Sequence, residues 1–156
     1  MIPFTKPTLI GEEIVSLDIA MSSNNPGSAV TDVCDFLKHQ TGAQASYFVN
    51  SCSDALEMTA LAMDLNADDE IIVPDYTFVT SASSFALRGA KIIFCDVIKD
   101  DLCLDLEMTE KLITKKTKAI IPVSMFGRAC DISEITNYAN EKGIYVIEDS
   151  AQAFGS

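Results

Sequence analysis

Positive charge is what this sequence has least of. Eleven Lys and Arg stand against 23 Asp and Glu, for a formal net charge of -12 and a pI near 4.3. A protein that grips a nucleic-acid backbone needs clustered cations to displace counterions, so that class of partner is excluded. Histidine is almost absent too. His39 is the single one, placed among Phe36, Leu37 and Lys38 on an expected surface helix, where a solvated or packing role outweighs catalysis. No apolar run is long enough to span a bilayer and no N-terminal signal is visible, so a cytoplasmic location without membrane contact is expected. The five cysteines, Cys34, Cys52, Cys95, Cys103 and Cys130, form no CxxC pair and are odd in number. That pattern suits reduced thiols better than a disulfide framework or a zinc site. No G-x-G-x-x-G follows the first strand, which removes the main support for a nicotinamide-binding domain.

What is present is a globular composition, 48% apolar and 22% charged over 156 residues, enough for one domain with a buried core. The acidic clusters Asp68-Asp69-Glu70 and Asp100-Asp101 read as solvated loop surface. Met1 to Pro7 carries two prolines and is expected to be extended. A helical pattern starts at Gly11, with Ile14, Val15, Leu17, Ile19 and Met21 broadly on one side, and stops at Asn24-Asn25-Pro26-Gly27. Ser28 is positioned to cap a second helix reaching Thr41-Gly42. Beyond it, short apolar strands are expected at 46–49, 70–73, 91–95, 118–123 and 144–147, with helical segments at 53–65, 78–87, 107–113 and 131–142 between them. Alternation of this kind predicts an α/β fold: a mostly parallel sheet with helices on both faces, in three αβα layers.

Three segments carry candidate chemistry. Tyr145-Val146-Ile147-Glu148-Asp149-Ser150-Ala151-Gln152 is a short apolar strand that delivers a carboxylate to the carboxyl edge of a sheet, where ligands bind. Asn50-Ser51-Cys52-Ser53-Asp54-Ala55-Leu56 follows a strand and opens a helix, whose free N–H groups and dipole suit a phosphate. Pro74-Asp75-Tyr76-Thr77-Phe78-Val79-Thr80-Ser81-Ala82 offers an aromatic wall. Taken singly, each has an ordinary structural explanation as a capped helix, a core segment or an acidic strand end.

Together, and in this order, the three resemble the DegT/StrS-type sugar aminotransferases, which carry pyridoxal phosphate (PLP) on the aspartate aminotransferase fold. The resemblance implies that Asp149 pairs with the cofactor's pyridine nitrogen and that Gln152 approaches its phenolic oxygen. It further implies that Phe78 lies over the ring and that Cys52, Ser53 and Asp54 receive the phosphate, through the Ser53 hydroxyl and backbone amides. Pro122-Val123-Ser124-Met125-Phe126-Gly127 is similar to another family segment, with Ser124 where His is usual. Ile2-Pro3-Phe4 and Gly11-Glu12-Glu13 look like the family's opening, whereas 22–29 departs from it, being shorter than the family's Gly-rich loop.

By the same resemblance, residues 1–156 are expected to be the N-terminal portion of the PLP-binding large domain. The Schiff-base lysine of the family lies beyond the Glu-Asp motif, and every lysine here, from Lys6 to Lys142, precedes it. No catalytic residue is therefore assigned, and the chain acting alone is expected to be inactive. The implied activity is amination of a nucleotide-linked keto sugar, of the TDP-4-keto-6-deoxyhexose type, with an amino-acid donor, glutamate, in a homodimer serving surface-polysaccharide synthesis. The alternative is a non-catalytic module derived from the same family.

Overall fold

The computed structural model describes residues 8–25 and 27–156. The extended arm and family opening expected at 1–7 lie outside them, as does Pro26. The chain divides into two compact units, Met1–Phe48 and Val49–Ser156. The first contains helices α1 (Glu13–Ser22) and α2 (Ser28–Thr41). In α1 the apolar residues do not share one side as expected. Ile14, Leu17 and Met21 fall on one flank and Val15 and Ile19 on another, and none is buried. Helix α2 starts at Ser28 itself, with Gly27 rather than Ser28 at the N-cap and no side-chain cap bond, and it ends as expected on Gly42, in the left-handed conformation that favours glycine.

The second unit runs α3 (Cys52–Ala62), β1 (Glu70–Pro74), α4 (Thr80–Ala86), β2 (Lys91–Cys95), α5 (Leu106–Leu112), β3 (Thr117–Ile120), α6 (Ser133–Lys142) and β4 (Tyr145–Val146). Its four strands are all parallel, in the order β2-β1-β3-β4. Residues 46–49 form no strand: a strand exists only through its ladder, and Tyr47 and Phe48 stay exposed.

Strand β1 is buried along its whole length, which is why it reads as an uninterrupted apolar run. Its side chains alternate between two cores. Ile71 and Val73 pack with Leu56, Ala60 and Phe85 under α3 and α4, joined by Ala119 and Ile121. Ile72 and Ile120 face the other way, with Ile135 and Ala139 of α6. The result is the expected three-layer sandwich, with a core on each face of the sheet.

Strand β3 is shorter than expected because Pro122 has no N–H to give the ladder. The chain stays extended beyond it. Asp149 N donates to Pro122 O at 2.9 Å, and Ser124 N donates to Asp149 O at 3.0 Å, so Val123 and Asp149 still pair in parallel.

Two expectations need correction. Glu70 is not solvated loop: it is 6% exposed at the start of β1, held by Lys91 Nζ at 3.1 Å and Thr114 Oγ1 at 2.6 Å. Nor are all five cysteines free. Cys103 and Cys130 form a disulfide across a Cα–Cα distance of 5.6 Å, while Cys34, Cys52 and Cys95 remain thiols. The two cysteines stand on separate loops that Arg128 also ties together, donating to Asp100 O at 2.8 Å, a meeting that spacing along the chain does not reveal. Among the described residues no helix is long and apolar enough to cross a membrane.

Candidate active site

From β1 the chain crosses to β2 on one side, then returns over the sheet to β3 on the other. Such a reversal leaves a crevice at the carboxyl ends of the two central strands, where open α/β sheets bind ligands. A cavity of about 170 Å³ lies there, bounded by Cys52 and Ser53 of α3, Thr77, Phe78 and Thr80 after β1, Val123 to Met125 after β3, and Asp149, Ala151 and Gln152 after β4.

Of the six residues singled out from the sequence, Cys52, Ser53, Phe78, Asp149 and Gln152 line this one cavity. Asp54 does not. Ser51 caps α3 and its hydroxyl takes the Asp54 N–H at 3.1 Å, so that amide is spent within the helix start. The N–H groups of Cys52 and Ser53 sit in the first turn beside the cavity, and the Ser53 hydroxyl donates to Thr80 Oγ1 at 3.0 Å.

Asp149 is the charged group of the site and is only 5% exposed. Its Oδ2 accepts from Ser81 Oγ at 2.7 Å, and its Oδ1 from Cys52 Sγ at 3.5 Å and Ala151 N at 3.2 Å. Among the described residues no Lys, Arg or His pairs with it. Burial, then the charge and hydrogen bond of Asp149, push the Cys52 thiol up to about 11. It is therefore a protonated donor at neutral pH rather than a nucleophile.

Gln152 accepts from the backbone N–H of Phe126 at 3.0 Å through Oε1. With its oxygen so engaged, the side-chain amide nitrogen is the end left to donate. Phe126 itself holds a left-handed backbone with φ of 55°, uncommon for a residue with a side chain. Phe78 keeps an open face, 61% exposed. Ser124, where the family pattern has His, is buried: its hydroxyl accepts from Cys130 N at 3.1 Å and lies 3.4 Å from Glu148 Oε1. It ties two loops together behind the cavity.

Sequence reading passed over Thr80 and left Ser81 without a role. Both stand in the segment Thr77 to Ala82, whose density of hydroxyls was the one signal available.

The fold is that of the PLP-fold aminotransferases. Spr1654 of Streptococcus pneumoniae, solved in its PLP form, superposes with a TM-score of 0.86 at 27% identity, over 99% of this chain and 44% of that one. Residues 13–156 match the DegT/DnrJ/EryC1/StrS aminotransferase family, and the chain belongs to it. A UDP-2-acetamido-2-deoxy-3-oxo-D-glucuronate aminotransferase of Pseudomonas aeruginosa is 39% identical over 83% of this chain and 36% of its own length. A GDP-perosamine synthase of Vibrio cholerae is 32% identical over 100% and 43%. The chain thus spans about two fifths of the length of these relatives.

Proposed function

We propose that this chain forms the ring and phosphate cradle of a PLP-dependent aminotransferase that acts on a nucleotide-linked keto sugar. The observation that carries the reading is Asp149, a buried carboxylate with hydroxyl, thiol and amide donors but no cation against it among the described residues. A buried anion is costly without a positive partner. A ligand with a protonated ring nitrogen supplies one, and the rest of the donor set suits the same molecule: an aromatic face and, at the start of α3, amides and a hydroxyl for an anion.

In this reading Asp149 keeps the proton on the ring nitrogen. Phe78 covers the ring, the amides of Cys52 and Ser53 take the phosphate together with the Ser53 hydroxyl, which turns to it from Thr80, and the Gln152 amide donates to a ring oxygen. When bound, PLP supplies the electron sink that lets an amino group leave one carbon and join another.

Residues 1–156 are read as the N-terminal portion of the large domain, in a homodimeric cytoplasmic enzyme. Glutamate is the proposed donor. The relatives' names attach sugar chemistry to UDP and GDP; the acceptor proposed here is a TDP-linked 4-keto-6-deoxyhexose.

Titration of the chain with PLP, followed by cofactor absorbance, is expected to saturate. Asp149→Asn should weaken binding by roughly 2–5 kcal/mol, the cost of removing one member of a buried charge pair. Undiminished binding by the variant would refute the assignment. Saturation-transfer NMR on the PLP-loaded chain with TDP-, UDP- and GDP-sugars tests the nucleotide; a stronger response to UDP or GDP would overturn the TDP choice.

A further inference from the structure

Asp149 has little freedom left in its backbone, since its N–H and C=O are both tied to the extension of β3. Its side chain is held from two sides by groups on different elements. Ser81, wholly buried in α4, donates to Oδ2 at 2.7 Å, and Cys52, at the start of α3, donates to Oδ1 at 3.5 Å. An ionised carboxylate only accepts, so the Ser81 proton must point at Asp149. Ser81 Oγ also lies 3.0 Å from Thr77 Oγ1, and with its own proton committed it accepts there. The hydroxyls are thereby ordered in one direction, from Thr77 to Ser81 to Asp149.

We propose that Ser81 and Cys52 are positioning residues that clamp the two oxygens of Asp149 and hold the carboxylate aimed into the cavity for a cationic ring nitrogen. The destination of that charge rests on the PLP reading above; the clamp does not.

Two measurements separate the claims. The first uses the chain without cofactor, with site-resolved alkylation of Cys52 at pH 8.5 read by mass spectrometry. Asp149→Asn removes the charge that helps to suppress the thiolate and replaces one of the two acceptor oxygens with a donor, so Cys52 alkylation should accelerate on the order of threefold or more. Buried Cys95 should stay protected and thereby report an intact fold. An unchanged Cys52 rate would overturn the clamp. The second is PLP titration. Ser81→Ala should raise the dissociation constant roughly ten- to hundredfold, the worth of a hydrogen bond to a charged group. Cys52→Ala should raise it about two- to fivefold, a thiol being a weak donor. Ser81→Thr and Cys52→Ser, which keep a donor, should recover most of the loss, and neither alanine variant should weaken binding further in an Asp149→Asn background. Losses that persist in that background, or that Ser81→Thr and Cys52→Ser fail to rescue, would refute positioning through Asp149. A chain that takes up no PLP at all would sink the functional reading, and the alkylation rates would still decide the clamp.

Discussion

At the scale of single residues the site depends on where a few polar groups are aimed. Phe78 contributes an exposed face rather than packing. Its replacement by alanine should therefore leave unfolding free energy within about 0.5 kcal/mol of wild type, while raising the PLP dissociation constant roughly two- to twelvefold, from about 0.5–1.5 kcal/mol of lost stacking. Denaturant melts alongside cofactor titration check both halves. That Asp149, Phe78 and Ser53 meet at one cavity was legible because each sits at an element boundary near the carboxyl edge of the sheet. Asp54 misled because an acid in the first turn of a helix also serves the helix, and Ser51 had already claimed its amide. Thr80 and Ser81 could not be assigned from sequence, since a hydroxyl's role depends on a partner 27 or 68 positions away.

Among the elements, legibility followed burial. Strand β1 announced itself because both of its faces are covered. Strand β3 looked longer than it is, because an apolar run does not show where Pro122 withholds its N–H from the ladder. The segment 46–49 has strand composition but no ladder, and α1 has apolar residues on two flanks with none buried. The disulfide was hidden for a related reason: Cys103 and Cys130 are 27 positions apart on two loops that only the tertiary fold brings together. Closing a loop of that length constrains the unfolded chain by roughly 3–4 kcal/mol in the chain-entropy account. Reduction, or Cys103→Ser, is expected to lower stability by roughly 2–4 kcal/mol in urea titrations. A midpoint insensitive to reductant would mean that the bond does not form in solution.

For the molecule as a whole, an excess of negative charge disfavours compactness at neutral pH, yet Glu70 opposes that trend. Its carboxyl is held below the ordinary value of 4.5, first by the Thr114 hydroxyl and then by Lys91. A depressed folded value means stabilisation that is complete above the unfolded value and lost as pH falls through the folded one. Glu70→Gln should reduce stability at pH 7 and flatten the acid limb below about 4.5; an acid limb identical to that of the wild type would contradict this account.

The cavity has a further consequence for how the molecule comes into being. Its walls are drawn from segments far apart in the chain, with Cys52 and Asp149 separated by 97 positions. No early, locally assembled intermediate can therefore own this cavity, and parallel pairing of distant strands is slow to complete. During refolding from denaturant, cofactor capture is expected to lag behind the recovery of helical circular dichroism, making uptake of the coloured ligand a timestamp for the final closure of the sheet.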